Sequence, residues 1–301
     1  MSFANAVLEE NGPESKSVGS RRTHSYWLLA RRFLRRPFSL VGLVILAVFV
    51  TTALFASWVA PFSPSATDFN AILSGPSSHH LLGTDGLGRD VLSRLIWGSR
   101  ASLQAGVLAT LLAMAIAVPI GVVAGYYGGW VDLVIARLTD VMLAFPFLIL
   151  AIGLAVILSP SLTTATLALG IGTAPRMIRV ARGESLTLRE ADFIRAAIAN
   201  SASDAVILAR HILPNMVSTL IVQGTLLIPA AIIGEATLSF LGFGVQPPAP
   251  SWGVMLADSQ AYLTQAPTQA LYPGLAIFLC SLSFNFVGDG LREILDPKTQ
   301  R

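Results

Sequence analysis

The side chains that could carry chemistry are few in this chain of 301 residues. His79 and His80 could bind a metal ion, but the side chains of adjacent residues diverge, and no further His or Cys lies near them. Neither lysine, Lys16 or Lys298, follows a glycine, so the chain has no Gly-Lys-Ser/Thr phosphate-binding loop. The chain also contains no His-Glu-x-x-His and no Gly-x-Ser-x-Gly motif. The sequence therefore predicts no catalytic, cofactor-binding or metal-binding residue, and an enzyme is poorly supported.

Two polar segments stand out between long apolar runs. In the first, 61–100, Asp85-Gly86 and Gly88 are turn formers, and a short interfacial helix is predicted from Asp90 to Arg100. We interpret this segment as a capped loop that carries the charged residues Asp85, Arg89 and Asp90.

The second polar segment, 184–215, has the pattern of two helices. Residues 185–199 suit a helix, Asn200-Ser201 a break, and Ser203 the N-cap of a second helix that ends before Pro214. The alanines at 196, 197, 199 and 202 expose little side-chain bulk, so another backbone can approach closely. Because a simple linker needs no two-helix pattern, we expect a helical hairpin that docks into a groove of a partner.

The elements that must position these segments are membrane spans. Only 12% of the residues are charged and 53% are hydrophobic, and soluble domains carry about 25% charged residues. Five windows contain no charged residue: 38–60, 101–131, 141–175, 212–234 and 259–288. The third is broken by Ser159-Pro160-Ser161 and provides two spans, 134–158 and 162–181. The sequence therefore predicts an all-α integral membrane protein with six transmembrane helices.

The distribution of basic residues predicts the orientation. If the N-terminus is inside, 17 of the 20 Lys and Arg residues lie inside, and only Arg89, Arg94 and Arg100 lie outside. Because Lys and Arg of short loops stay cytoplasmic, the prediction is N-in/C-in, as a multi-pass protein of the cytoplasmic (inner) membrane. The net charge of +3 then reflects topology and does not call for a nucleic-acid partner.

Seven groups of motifs follow one another along the chain. They are the string from His80 to Arg94, Gly125-Tyr126-Tyr127-Gly128-Gly129-Trp130, Arg137 and Asp140 with Phe145-Pro146, the two alanines before His211-Ile212-Leu213-Pro214-Asn215, the run from Leu238 to Pro248, Gly288-Asp289-Gly290-Leu291-Arg292, and Leu295-Asp296-Pro297. In this order, over residues 30–297, the chain resembles the permease subunits of type I ABC importers. The resemblance is to the C-type subunit of dipeptide, oligopeptide and nickel systems.

The resemblance implies a division of the chain and a set of partners. The division is an N-terminal permease segment with the first span and outer loop at 26–98, an ABC transmembrane type-1 domain at 99–289, and a cytoplasmic tail at 290–301. The polar composition of residues 1–25 predicts a mobile cytoplasmic tail before them. The implied partners are a second, B-type permease, two ATP-binding subunits or domains, an extracytoplasmic solute-binding protein and membrane lipid. The implied substrate is a di- or oligopeptide, and nickel or another small solute is the alternative.

The resemblance also assigns roles to the two polar segments. The inner one would form the coupling loop that docks on the ATPases, through Arg195, Ala196, Ala197, Asn200, Ser201, His211, Leu213 and Pro214. The family has Glu at the position of Arg195 and Gly at the position of Ser201, and we expect Asn200 to adopt the left-handed conformation instead. The outer loops 61–100 and 239–270 would face the binding protein through Asp85, Arg89, Asp90, Gln246, Pro247 and an exposed Trp252.

A secondary transporter is the alternative from another class. It would need ionisable groups near the middle of the membrane. Asp132, Asp140 and Glu235 lie near the ends of predicted spans, and Asp140 is expected to pair with Arg137 at helical spacing. The uncharged centres of the spans therefore argue against this alternative.

Overall fold

The structure is a computed structural model that describes residues 33–295, and every regular element among these residues is helical. The helices are α1 Pro37–Leu54, α2 Ala56–Val59, α3 Val91–Tyr127, α4 Gly129–Ala144, α5 Phe147–Leu158, α6 Leu162–Arg189, α7 Asp192–Ala199, α8 Asp204–Phe240, α9 Trp252–Ser259 and α10 Thr268–Leu295. Single 3₁₀ turns lie at Phe69–Ala71 and Gln260–Tyr262. The predicted tail 1–25 lies outside the described residues.

Four helices of the described part, α1, α3, α8 and α10, are long and apolar enough to cross a membrane. The pair α4 and α5 supplies a fifth candidate, but the two helices are bent by 86° where a straight span, 134–158, was expected. The bend lies at Phe145-Pro146, where Phe145 is extended because a residue before proline avoids the helical conformation. The all-α membrane class is confirmed, whereas six spans and the N-in/C-in orientation stay predictions.

Helix α6, predicted as a span at 162–181, does not meet the same criterion. Threonines, glycines and the arginines at 176, 179 and 182 dilute its apolar stretch. Helix α6 packs against α3, α4, α5 and α8. Because protein surrounds much of this helix, its surface does not have to be apolar all round.

Helix α3 is one continuous helix of 37 residues, about 55 Å long. The expected separate interfacial helix from Asp90 to Arg100 is therefore wrong, because the helix continues without a break into the apolar window. Its N-cap is Asp90, whose Oδ2 accepts a hydrogen bond from the Ser93 amide at 2.7 Å. Its C-cap is Gly128, whose positive φ of 65° glycine adopts without strain.

The closest helix packing joins α3 to α6 through small residues. A Cβ atom at Gly121 would lie 2.7 Å from the Ile178 carbonyl oxygen, and one at Gly125 would lie 2.5 Å from the Arg182 carbonyl oxygen. The Ser185 hydroxyl donates to the Val122 carbonyl at 3.0 Å across the same contact. These glycines therefore serve close packing, which is how membrane helices without a large hydrophobic driving force associate.

Helix α8 does not stop before Pro214 as predicted. Its first turn is α-helical, residues Ile207–Ile212 are π-helical, and Leu213–Phe240 continue as an α-helix. The wider turn precedes Pro214, where a regular helix would bring the proline ring against the carbonyl four residues earlier. The π-helical turn therefore lets the chain run from the second polar segment directly into a span.

Candidate functional site

The first candidate surface, called the inner docking surface, comprises α7 and the turn 200–203. Buried Ile194 of α7 joins Ile207 and Ile212 of α8 in one hydrophobic cluster, and this contact fixes α7 against α8. Phe193 and Ile198 of α7, by contrast, are 42% and 53% exposed. Because large apolar side chains exposed beyond the membrane spans favour association, this surface suits a protein partner.

Two of the four alanines that the sequence singled out, Ala196 and Ala197, differ in burial. Ala196 is exposed, whereas Ala197 is half-buried and packs against the same hydrophobic cluster as Ile194. Of these two, Ala196 is therefore the one open to a partner, and a bulky side chain at Ala197 would disturb the chain's own packing first.

The turn after α7 has the hydrogen bonds of a Schellman motif. The Ala202 amide donates to the Ala197 carbonyl at 3.1 Å, and the Ser201 amide donates to the Ile198 carbonyl at 2.9 Å. Ser201 takes the left-handed conformation with a φ of 58°, whereas Asn200 has a φ of −84°. The prediction that Asn200 is left-handed is wrong. The Schellman motif has its left-handed residue one position later, at Ser201, where the resembling family has glycine.

Within the described residues, the Arg195 side chain forms one long ion pair and is otherwise exposed. Its Nη2 atom lies 3.5 Å from Glu190 Oε2, and the two side chains are 64% and 68% exposed. Such a pair contributes little, so the positive charge at this position is available to a partner.

The remaining predicted coupling residues lie along α8 and not in a separate hairpin arm. His211 and Leu213 are half-buried, and Pro214 is exposed. The expected first arm, 185–199, is also wrong, because α6 extends to Arg189 and α7 begins only at Asp192. The segment is therefore one short helix held between the ends of two long ones.

The far end of α3 is tied to this surface. The Tyr126 hydroxyl donates to Asp204 Oδ1 at 2.8 Å, which joins the end of α3 to the beginning of α8. Nearby, α4 and α6 are held by two ion pairs, Arg179 Nη2 with Asp140 Oδ1 at 2.6 Å and Arg182 Nη2 with Asp132 Oδ2 at 2.6 Å. Asp140 therefore pairs across helices, and the expected pairing with Arg137 on its own helix is wrong.

The second candidate surface lies at the other end of α3, the predicted outer end. Asp85, Arg89, Arg94 and Asp258 form the outer ion cluster. Arg89 Nε lies 2.6 Å from Asp85 Oδ2, and its Nη2 lies 2.8 Å from Asp258 Oδ2. Arg94 Nη2 lies 3.1 Å from the same Asp258 oxygen. The cluster joins the loop before α3 to α9, more than 160 residues later in the chain.

Most side chains of the outer ion cluster are buried, so they do not form a contact surface. The side chains of Asp85 and Arg89 are buried, and Arg94 is 1% exposed. Asp90 is also buried, and its Oδ1 atom lies 2.9 Å from His80 Nδ1. Three predicted binding-protein-facing residues, Asp85, Arg89 and Asp90, thus bind their own chain.

Trp252 was predicted as an exposed aromatic, and this is wrong because its side chain is completely buried. The indole Nε1 donates to the Leu95 carbonyl at 3.1 Å, and the ring meets Phe49 edge-on at a centroid distance of 5.4 Å. Gln246 and Pro247, in the loop before it, are exposed. Of the predicted outer contact residues, these two are the ones that a partner can reach directly.

The family model for the inner-membrane component of binding-protein-dependent transport systems matches residues 117–301. The chain belongs to this family. A second model, the N-terminal transmembrane domain of oligopeptide transport permease C, matches residues 25–76. The protein is accordingly an inner-membrane, multi-pass permease component. The resemblance to importer permeases that the motifs indicated is confirmed.

Two curated relatives of this permease are similar along nearly their whole length. The chain is 43% identical over 275 residues to the dipeptide transport system permease protein DppC of Alkalihalophilus pseudofirmus, which covers 91% of this chain and 90% of the relative. It is 43% identical over 276 residues to the glutathione transport system permease protein GsiD of Escherichia coli, with the same coverage.

The fold is similar to that of a chain of the inward-facing MetNI methionine ABC transporter. The TM-score is 0.56 at 20% identity, and the match covers 67% of this permease and 96% of the other chain. This likeness confirms the importer-permease fold that the motifs predicted.

One buried residue that the sequence placed only near a span end is central to the predicted outer part of the permease. Glu235 is completely buried in α8, where its oxygens accept hydrogen bonds from Ser102 at 2.9 Å and Ser239 at 2.7 Å. Ser102 Oγ also accepts the Trp252 amide, and Ser239 Oγ accepts the Val245 amide. Glu235 thus holds α3, α8 and the loop 241–251 together. A charged residue within an apolar run was the available signal, but one of its two hydrogen-bond partners, Ser102, is 133 residues away in the chain.

Proposed function

We propose that this permease is a subunit of an ATP-driven ABC importer and forms part of the pathway for di- or oligopeptides across the cytoplasmic membrane. The relatives support a peptide substrate, because one is named for dipeptides and the other for glutathione, itself a tripeptide. The proposed partners are a second, B-type permease, two ATP-binding subunits and an extracytoplasmic solute-binding protein.

The observation that carries this proposal is the exposed apolar side of α7. Phe193 and Ile198 are exposed beyond the spans, while Ile194 anchors the same helix in the core. Two residues join α7 to α6, and four join it to α8. Because both connections are short, a displacement of α7 by a docked ATPase would be transmitted to two long helices.

The proposed topology has six spans: α1, α3, the bent pair α4 and α5, α6, α8 and α10. An N-in/C-in orientation puts α7 in the cytoplasm, where ATP is available, and the outer ion cluster outside. The excess of basic residues on the α7 side supports this orientation.

The proposed contact for the binding protein is the loop around Gln246 and Pro247. Gln246 Nε2 donates to the carbonyls of Gly242 and Gly244, both at 3.0 Å, so the loop is ordered by its own side chain. The outer ion cluster and Trp252 would then act as a rigid frame below this loop.

The experiment is co-purification of the ATP-binding subunits with the permease after Ala196→Trp. We expect the variant to insert into the membrane normally and to lose the ATPase, because the indole blocks close approach to α7. The matched control is Ala261→Trp, at an exposed alanine beyond α9 on the proposed outer side. Retention of the ATPase by Ala196→Trp, at the level of the control, would contradict docking at α7.

A further inference from the structure

A groove of about 400 Å³ opens between α1, α3 and α10, and none of its lining residues belongs to either candidate surface. Its walls are apolar side chains, among them Val50 and Leu54 of α1, Leu103 and Leu108 of α3, and Phe284 of α10. A groove of this size and composition accommodates hydrocarbon.

Two polar side chains, Arg100 and Gln104, lie on the α3 wall of this groove, one helical turn apart. Both are exposed. Among residues 33–295 Arg100 has no ion pair, whereas Arg89 and Arg94, the other two arginines of the predicted outer side, are held in the outer ion cluster. The groove therefore presents a positive charge that its own described surroundings leave uncompensated.

The depth of the groove matches one leaflet of a bilayer. Arg100 immediately precedes the charge-free window 101–131, so it stands at the edge of the hydrocarbon region. From Arg100 to Leu108 the helix descends about 12 Å, close to half of a hydrocarbon core of about 30 Å. A headgroup at Arg100 would place its acyl chain along the apolar wall.

We propose that this groove binds one phospholipid of the outer leaflet, with the phosphate held by Arg100 and Gln104 and an acyl chain between α1, α3 and α10. The guanidinium donates charge-assisted hydrogen bonds to phosphate oxygens, and the Gln104 amide adds a neutral donor. A peptide fits less well, because its several backbone amides would face walls that offer only these two polar side chains.

The experiment measures lipid retained by the purified complex, using native mass spectrometry with phosphatidylglycerol as the probe. We expect Arg100→Gln to weaken binding about tenfold or more, since a hydrogen bond to a charged group is lost. Arg100→Lys should bind at an intermediate level, because the charge stays and the bidentate geometry is lost. Leu108→Trp should also weaken binding by filling the groove, although Arg100 is intact.

The matched control is Arg137→Gln, which removes an exposed arginine of α4 outside the groove and should leave lipid binding unchanged. Diacylglycerol with the same acyl chains should bind weakly, because it lacks the phosphate. Equal phosphatidylglycerol binding by Arg100→Gln and the wild type would overturn the proposal. Displacement of the lipid by a short peptide, or cross-linking of a photoreactive residue at position 108 to the second permease, would also overturn it. None of these results depends on transport activity or on ATPase docking.

Discussion

The two ends of α3 differ in whether the nearby charged and apolar side chains are buried or exposed. At one end, the outer ion cluster buries Asp85, Arg89 and Arg94 and satisfies them within the chain. At the other end, the inner docking surface leaves Phe193 and Ile198 exposed, and Arg195 is held only loosely. In the first region the charged side chains are paired within the chain, whereas in the second the apolar and charged side chains face outward. Charged residues of a polar loop therefore indicate a contact surface only where the chain does not use them internally.

Accessibility from the two sides of the membrane gives the largest expected contrast. Ser251 and Ser185 are both completely buried, so neither suits cysteine labelling. Gln246 and Ser201 are exposed, and the single native Cys280 is buried. We expect Gln246→Cys to react with a membrane-impermeant maleimide in intact cells, and Ser201→Cys to react only after permeabilisation. The reverse pattern would overturn the proposed orientation of both regions.

The next contrast is in stability. Arg89→Ala leaves Asp85 buried without its closest cation, and we expect the free energy of unfolding to fall by about 3 kcal/mol. The matched change in the other region, Arg195→Ala, breaks only an exposed pair and should change it by less than about 1 kcal/mol. Denaturant midpoints in detergent measure both variants. Similar losses of stability in the two variants would show that the charges of the outer ion cluster stabilise the chain no more than Arg195 does.

Glu235 tests whether the outer region is one connected unit. In Glu235→Gln the amide group cannot accept from both serines, so we expect a loss of about 1 to 2 kcal/mol and faster proteolysis of the loop 241–251. A double-mutant cycle with Ser102→Ala should show coupling of about 1 kcal/mol. Additive effects of the two changes would show that the 2.9 Å hydrogen bond from Ser102 to Glu235 contributes nothing to the free energy of unfolding.

The smallest expected effect is stabilising and lies in the inner region. Ser201 holds a left-handed conformation that glycine adopts without cost, so Ser201→Gly should raise stability by about 1 kcal/mol. Asn200→Gly serves as the control, because Asn200 is not left-handed and the change should destabilise or have no effect. A gain at position 200 and not at 201 would contradict the Schellman geometry of this turn.

The sequence predicted features that depend on local composition. The apolar windows predicted α1, α3, α8 and α10, and the break after α7 was predicted at Asn200-Ser201, where the structure has a turn. The errors concern partners that are distant in the chain. Asp140 is nearer in sequence to Arg137 than to Arg179, and nothing local signals that α4 packs on α6. Trp252 lies in the predicted outer loop 239–270, yet it is buried against Phe49 and Leu95, which belong to other helices.

We expect this permease to move substrate only with energy supplied through the inner docking surface. The direct measurement is uptake of a labelled short peptide into liposomes. One set contains this subunit, the second permease, the ATP-binding subunits and the solute-binding protein, and the other contains this subunit alone. We predict ATP-dependent uptake in the first set and none in the second. Uptake by the subunit alone, without ATP, would contradict the account and favour a secondary transporter.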